Sequence, residues 1–123
     1  LDDFKRVNDT YGHQAGDEAL RVAADTVQGA LRPTDYAVRY GGEELMVILP
    51  NTPETVALMV AERLCQRMRS AVVFRDAGTP LPHLTASVGV ASLAPGQNDH
   101  ALVKRADAAL YRAKEAGRDR ASL

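Results

Sequence analysis

The stretch RYGGEEL, residues 39–45, is the part of the chain around which the other segments can be placed. It is flanked by two runs rich in β-forming residues, 35–38 and 46–50. A glycine pair between two such runs predicts a hairpin, because glycine adopts the positive φ angles of a tight turn without steric cost. Glu43 and Glu44 would then open the second strand, with their side chains on opposite faces.

Two carboxylates beside a glycine turn also suit a binding site. A turn with little side-chain bulk lets a ligand approach the backbone closely. A carboxylate next to that turn can hold Mg²⁺, which prefers hard oxygen ligands. An ordinary hairpin with two solvated glutamates explains the same residues, and for this stretch alone it is the more frequent outcome. The surrounding segments have to decide between these two interpretations.

Length and composition favour one soluble globular domain. The chain has 123 residues, of which 46% are hydrophobic and 25% are charged, and this is sufficient for a single core. No run is long enough to span a membrane, and a net charge of −1 gives no general case for nucleic-acid binding. Cys65 is the single cysteine, which excludes an intramolecular disulfide and suits a reducing cytoplasm. We therefore expect a cytoplasmic domain with no membrane span and no nucleic-acid partner.

The spacing of apolar residues predicts four helices. A short helix is expected within residues 2–10, and longer helices at about 15–31, 53–69 and 99–116. The predicted core-facing stripes of the three longer helices are, in chain order, Leu20, Ala24, Val27 and Leu31; Val56, Met59, Val60, Leu64 and Met68; and Leu102, Val103, Ala106, Leu110 and Ala113. Asp99 is predicted to cap the last helix and Gly117 to end it.

The remaining segments predict strands and their connections. Residues 84–91 are rich in β-forming residues and predict a strand, within which Gly89 indicates close packing against a neighbour. Residues 72–83, with Gly78, Pro80 and Pro82, predict a loop that joins short strands. The order helix, hairpin, helix, strand, helix predicts an α/β (α+β) fold, with a mostly antiparallel central sheet flanked by helices.

Several segments together resemble the GGDEF family, the diguanylate cyclase domains, whose signature is Gly-Gly-Asp/Glu-Glu-Phe. Residues 41–45 (GGEEL) match this signature, and residues 2–10 (DDFKRVNDT) match the family segment Asp-x-Asp-x-Phe-Lys-x-x-Asn-Asp from its second Asp onward. Leu45 replaces the usual aromatic residue, and because leucine is also apolar we expect altered packing rather than a lost chemical group. The resemblance implies one nucleotidyl-cyclase-like domain over residues 1–123, with the family's first helix and first central strand lying before Leu1.

The resemblance also implies a catalytic site at the hairpin tip. Glu43 and the Leu1 backbone carbonyl would hold Mg²⁺ or Mn²⁺, and a second metal-binding Asp of the family would lie just before Leu1. Glu43 or Glu44 would take the proton from the attacking hydroxyl, and Lys5 would neutralise phosphate charge.

A GTP site is implied by the same resemblance. Its substrate-binding residues would be Asp3, Phe4, Asn8, His13, Asp17, Gly41, Gly42, Lys114 and Arg118. Asn8 and Asp17 suit guanine, because a carboxylate accepts hydrogen bonds from ring and amine N–H groups while an amide both donates and accepts. On residue chemistry alone, Asp17 could equally be a helix N-cap, and His13 an ordinary loop histidine.

Regulation is implied by Arg32 and Asp35, which match the family's Arg-x-x-Asp inhibitory motif, and by Arg63, which falls at a secondary inhibitory position. The implied reaction condenses two GTP into cyclic di-GMP and pyrophosphate, in a homodimer because the product is two-fold symmetric, under the control of an upstream sensor domain. A module that binds GTP or cyclic di-GMP without catalysis is the alternative, and a structural domain without ligands is a third. Because a metal ligand and a strand would lie upstream, we expect little or no turnover from residues 1–123 alone.

Overall fold

The computed structural model describes residues 1–76, 79–80 and 83–123, and the side chains of these residues except 74–76 and 79–80. Its helices are α1 (Phe4–Tyr11), α2 (His13–Gly29), α3 (Glu54–Ser70) and α4 (Asp99–Glu115). Its strands are β1 (Tyr36–Arg39), β2 (Leu45–Ile48), β3 (Phe74–Asp76), β4 (Thr79–Pro80), β5 (Ser87–Gly89) and β6 (Arg120–Ser122). Of the loop expected over residues 72–83, Gly78 and Pro82 lie outside the described residues. None of the helices described combines the length and the apolar character needed to cross a bilayer.

The described strands pair two by two. β1 pairs antiparallel with β2, β3 pairs antiparallel with β4, and β5 pairs in parallel with β6. Helices pack around these ladders, so the predicted α+β class is confirmed. The strand expected over residues 84–91 is shorter, because its partner β6 offers only three residues for pairing. Leu84 and Ala86, which precede β5, are instead buried in the core.

Small side chains form the core-facing row of α2. Ala15, Ala19, Ala23 and Val27 are buried, at spacings of four residues. The predicted core-facing stripe was therefore only partly correct. Val27 is buried as predicted, but Ala24 is exposed. Alanines every fourth residue allow the helix to approach its neighbours closely, and this close approach outweighs the greater hydrophobicity of the leucines beside them.

The core face of α3 also differs from the predicted stripe. Leu64 and Met68 are buried as expected, together with Ala61 and Cys65. Met59 was predicted to be core filler, but 66% of its surface is exposed, so that prediction was wrong. Cys65 packs in the core as predicted, and burial raises the pKa of its thiol to about 11.

The hairpin has a wider turn than the sequence suggested. The last ladder pair is Arg39 with Leu45, so Glu43 lies in the turn and does not open β2, and the same holds for Glu44. Neither glycine of the pair has a positive φ angle. Five residues connect the strands, and this longer loop removes the need for the primed geometry of a two-residue turn.

Hydrogen bonds close this turn from both sides. The N–H of Tyr40 donates to the Glu44 carbonyl at 2.9 Å, and the N–H of Glu44 donates to the Gly41 carbonyl at 3.3 Å. The Arg39 guanidinium donates from Nη2 to the Gly42 carbonyl at 2.8 Å. The tip therefore has a defined shape that does not depend on left-handed glycines.

The N-cap of α4 is Asn98, one residue before the Asp99 that was predicted. The Asn98 side chain accepts a hydrogen bond from the N–H of Ala101 at 2.9 Å, whereas Asp99 lies in the first turn of the helix. Both residue types favour the cap position, so the sequence alone does not separate them.

Gly89 lets β5 pack directly against the backbone of α4, as predicted. A Cβ atom at this position would come within 3.0 Å of the Ala106 carbonyl oxygen and of the Leu110 backbone. Because these atoms belong to a helix backbone, they cannot move aside cheaply.

Gly89→Ala should therefore lower the free energy of unfolding by about 3 kcal/mol, as overpacking in a well-packed core does. Gly29→Ala is the matched control, since no atom lies within 4 Å of the Cβ that it adds. Urea denaturation of the unmodified chain, Gly89→Ala and Gly29→Ala measures the change in unfolding free energy that each substitution causes. Equal stabilities for Gly89→Ala and the unmodified chain would contradict the packing described.

Candidate functional site

The start of the chain lies between the hairpin tip and the segment that leads into β5. The Leu1 amino group donates to the Glu43 carbonyl at 3.0 Å. The Asp2 N–H donates to the Thr85 carbonyl at 2.9 Å. Residues that are far apart in sequence therefore meet here, and the tip of the hairpin lies beside the beginning of α1.

Opposite charges meet at the same junction. The Lys114 ammonium and the carboxylates of Asp2, Glu43 and Glu44 all lie near the Leu1 nitrogen. Lys114 of α4 thus acts on the same point as the hairpin carboxylates, so a predicted phosphate-binding residue lies near the predicted metal-binding residue.

Glu43 is the predicted metal ligand of the hairpin. Its side chain is partly exposed and makes no hydrogen bond or ion pair with the described part of the chain. Within residues 1–76, 79–80 and 83–123, no three His, Cys, Asp or Glu side chains come together as a metal site. One carboxylate and the Leu1 carbonyl nevertheless fit Mg²⁺, because this ion is commonly held by one or two carboxylates, with substrate phosphates and water completing its shell.

The beginning of α1 offers hydrogen-bond donors to an anion. The Arg6 N–H donates to the Asp3 carbonyl at 3.0 Å, whereas the N–H groups of Phe4 and Lys5 find no acceptor in the described part of the chain. The Lys5 side chain is exposed, and Arg118 Nε lies 4.0 Å from Asp3 Oδ1. Unpaired N–H groups at a helix start and nearby cations are the donors that bind phosphate.

Arg118 is carried by a turn with unusual backbone angles. Gly117 ends α4 as predicted: its N–H donates to the Lys114 carbonyl at 3.2 Å, and the Arg118 N–H donates to the Ala113 carbonyl at 3.0 Å, which is a Schellman motif. Gly117, Arg118 and Asp119 have φ angles of 118°, 64° and 49°. Left-handed non-glycine residues cost about 1–3 kcal/mol each, so contacts around the turn have to maintain it.

Asp2 is a residue of this site to which sequence reasoning gave no role. Its carboxylate accepts hydrogen bonds from Thr85 Oγ1 at 2.8 Å, Ser87 Oγ at 2.6 Å and the Asp119 N–H at 3.0 Å. Burial acts to raise the pKa of Asp2, but these three donors outweigh it and hold the pKa below its usual value. One signal was available: Thr85 and Ser87 are two positions apart in a β-forming run, which places both hydroxyls on one face.

The predicted guanine-binding residues are neighbours. The Asn8 side chain packs so close to Gly16 that a Cβ atom there would collide with it. Asp17 follows Gly16 and lines a groove of about 450 Å³, together with Arg39 and Leu45 of the hairpin. Asp17 therefore lies beside the hairpin that carries the expected metal ligand, and Asn8 lies beside the preceding residue of α2.

Residues 11–17, which contain two glycines, are almost entirely helical. α1 and α2 are separated by Gly12 alone, whose φ of 93° permits the abrupt change of direction. α2 begins at His13, with Gly12 as its N-cap residue. The alternative roles are therefore wrong, because Asp17 lies inside the helix and is not its N-cap, and His13 is not a loop residue.

The predicted regulatory residues lie together at the other end of α2. Arg32 donates from its backbone N–H to Asp35 Oδ2 at 2.8 Å and from Nη2 to Asp35 Oδ1 at 2.9 Å and Thr52 Oγ1 at 2.8 Å. Asp35 is only 8% exposed. Arg63 Nη2 donates to the Ala30 carbonyl at 3.4 Å. Because α2 has 17 residues, this cluster lies about 25 Å from the start of the helix.

Comparison with known proteins gives one consistent family. The family model described as diguanylate cyclase, GGDEF domain, matches residues 1–120. The diguanylate cyclase DgcP of Pseudomonas aeruginosa is 42% identical over 123 residues, which cover 98% of this chain and 18% of DgcP. The chain thus spans less than a fifth of the length of that curated relative.

Two solved structures share the fold. The GGDEF domain of DgcB from Caulobacter crescentus, in complex with c-di-GMP, superposes with a TM-score of 0.93 at 38% identity and covers 98% of this chain and 69% of that chain. The active GGEEF domain of a diguanylate cyclase from Vibrio cholerae gives a TM-score of 0.86 at 36% identity, covering 98% and 76%. The second of these proteins has glutamate at the third signature position, as this chain does.

The Arg32–Asp35 pair should make stability depend on pH. Hydrogen bonds from Arg32 hold the pKa of Asp35 below its usual value of 3.8, so its stabilising contribution is present above that pH and is lost as the pH falls through the lowered pKa. Asp35→Asn should therefore be less stable than the unmodified chain at pH 7, and this difference should shrink as the pH falls below 3.8. Urea denaturation across this range measures the difference, and a gap that is independent of pH would contradict the assignment.

Proposed function

This chain belongs to the GGDEF family of diguanylate cyclase domains, and from that premise we propose that it condenses two GTP molecules into cyclic di-GMP and two pyrophosphates. The observation that carries the proposal is that the hairpin tip and the turn after α4 both reach residues 1–3, where α1 begins. The hairpin tip contacts Leu1 through Glu43, and the turn after α4 approaches Asp3 through Arg118. A carboxylate suited to a metal and cations suited to phosphates lie around this junction, and this supports the proposal.

The proposed reaction consists of two equivalent nucleotidyl transfers. In each, the 3′-oxygen of one GTP forms a bond to the α-phosphorus of the other, the bond from that phosphorus to the pyrophosphate oxygen breaks, and the hydroxyl proton leaves. A divalent cation, Mg²⁺ or Mn²⁺, would polarise the phosphate and favour loss of this proton. Glu43 would hold that cation, and either Glu43 or Glu44 would accept the proton.

The other site residues would bind and orient the nucleotide. Lys5, Lys114 and Arg118 would neutralise phosphate charge, and the N–H groups of Phe4 and Lys5 would donate to phosphate oxygens. Asn8 and Asp17 would bind the polar edge of guanine, and His13 would line the same region. Asp3 and the glycines of the hairpin would contribute backbone atoms close to the triphosphate.

The proposed reaction requires two copies of the domain. Each site holds one GTP, and the product is two-fold symmetric, so two domains have to face each other as a homodimer. Control of that encounter by an upstream sensor domain, and a location in the cytoplasm, are parts of the same proposal. The Arg32, Asp35 and Arg63 cluster would bind cyclic di-GMP and inhibit the enzyme, because planar arginine groups suit both phosphates and purines.

A module that binds GTP or cyclic di-GMP without turnover is the second candidate function. It is favoured by Leu45, which stands where the family signature has phenylalanine. Incubation of the full-length protein with GTP and Mg²⁺, followed by chromatography, separates the candidates. Formation of cyclic di-GMP supports the enzyme, whereas nucleotide binding without product supports the module.

Glu43→Gln should reduce cyclic di-GMP formation by the full-length protein about 100-fold or more, because it removes the carboxylate that would hold the cation. The thermal unfolding midpoint should stay unchanged, since this carboxylate makes no hydrogen bond within the described residues. Glu62→Gln, at an exposed position of α3, is the control. Turnover by Glu43→Gln at the unmodified rate would mean that the metal site is misplaced.

Arg32→Ala should relieve inhibition by added cyclic di-GMP, since it removes the guanidinium that would contact the inhibitor. Arg105→Ala, at an exposed position of α4, should leave the inhibition unchanged. Initial rates measured over a series of cyclic di-GMP concentrations provide the readout. If Arg32→Ala is inhibited as strongly as the unmodified enzyme, the regulatory role is refuted.

A further inference from the structure

Asp2 connects the two elements that the proposed site uses for phosphate. Along the chain it lies directly before Asp3 and Phe4, where α1 begins. Through space, its Oδ2 atom accepts a hydrogen bond from the N–H of Asp119, the residue that follows Arg118. The carboxylate therefore fixes the distance between the beginning of α1 and the turn that carries Arg118.

This carboxylate is itself held rigidly. Only 5% of Asp2 is exposed, and the hydroxyls of Thr85 and Ser87 donate to its two oxygens at 2.8 Å and 2.6 Å. With the Asp119 N–H, three donors define its position and orientation. Buried polar groups that are fully hydrogen-bonded in this way hold one arrangement of the surrounding backbone.

The turn that receives this hydrogen bond needs external support. Arg118 and Asp119 both have left-handed φ angles, a conformation that persists only where neighbouring contacts maintain it. Arg69 of α3 provides part of that support, donating from Nε to Asp119 Oδ1 at 2.7 Å and from Nη2 to the Asp119 carbonyl at 3.1 Å. The contact from Asp2 differs, because it ties the turn to the chain that leads into α1.

We propose that Asp2 is a positioning residue for the triphosphate of the bound nucleotide: its carboxylate holds the Arg118 turn at the distance from the α1 N-terminus that lets both bind one polyphosphate. This inference rests on the proposed function, since it assumes that a guanine nucleotide occupies the site. Asp2 does not touch the reacting atoms, so its removal acts through the placement of Arg118 and of the α1 N–H groups.

Two variants of Asp2 separate geometry from charge. Asp2→Ala removes all three hydrogen bonds of the carboxylate. Asp2→Asn keeps an oxygen for the Asp119 N–H, and its amide donates to a hydroxyl, because the Thr85 and Ser87 hydroxyls can accept as well as donate. Asp107→Ala, an exposed carboxylate deletion on α4, is the control.

The measurement compares two ligands that share the guanine base. Calorimetric titration of the chain with Mg²⁺ uses α,β-methylene GTP, which cannot release pyrophosphate, and GMP, which lacks the two outer phosphates. Asp2→Ala should weaken binding of the GTP analogue about tenfold while GMP binding changes less than about twofold. Asp2→Asn should restore affinity for the analogue to within about threefold of the unmodified chain.

A purely structural role for Asp2 would give another pattern. If Asp2→Ala weakens binding of the GTP analogue and of GMP equally, or weakens binding of neither, the positioning role is overturned. Should Asp2→Ala fail to fold, Ser87→Ala takes its place, because it removes one of the three hydrogen bonds and leaves the carboxylate. An unchanged ratio of the two affinities in that variant would overturn the proposal equally. Failure of the assumed nucleotide site is distinct, since the unmodified chain would then bind neither guanine nucleotide, and failure of the proposed reaction alone would leave both ligands bound by the unmodified chain.

Discussion

Two backbone hydrogen bonds at the start of the chain determine how the site is assembled. One joins Leu1 to the carbonyl of Glu43, and the other joins Asp2 to the carbonyl of Thr85. Between them, residues 1–2 hold the hairpin and the segment before β5 at a fixed separation, and α1 starts from that point. The acidic hairpin tip, the donors of α1 and the basic end of α4 each belong to a different part of the fold, and this junction brings them together.

Helix α2 separates the proposed nucleotide site from the proposed regulatory site. Its first turns carry His13 and Asp17 beside Asn8, and the residues after its last turn carry the Arg32–Asp35 cluster. A rigid helix of 17 residues keeps these sites about 25 Å apart. A ligand at one end therefore cannot contact the other end directly, and regulation would have to act through the arrangement of whole domains.

Much of the architecture could be predicted from local rules. The hairpin, the four helices, the close packing at Gly89 and the helix stop at Gly117 follow from spacing and from what glycine permits. Predictions of helix faces were less accurate, because periodicity ranks large apolar residues above the alanines of α2 that pack closest. The exposure of Met59 has the same origin, since α3 packs against the core through a face that includes the small residues Ala61 and Cys65.

The candidate site was predicted in its residue types and only partly in its geometry. Family resemblance indicated Glu43, Lys5 and Arg118, but not that Asp2 would receive donors from Thr85, Ser87 and Asp119. Contacts between residues so distant in sequence depend on tertiary packing, which no local pattern encodes.

The most direct test of a single nucleotide site at this junction is an NMR titration of the chain with α,β-methylene GTP and Mg²⁺. Amide shift changes should be concentrated in residues 3–17, 41–44 and 114–119, with residues 30–35 unaffected. Changes confined to residues 30–35, or no changes at saturating nucleotide, would contradict the account.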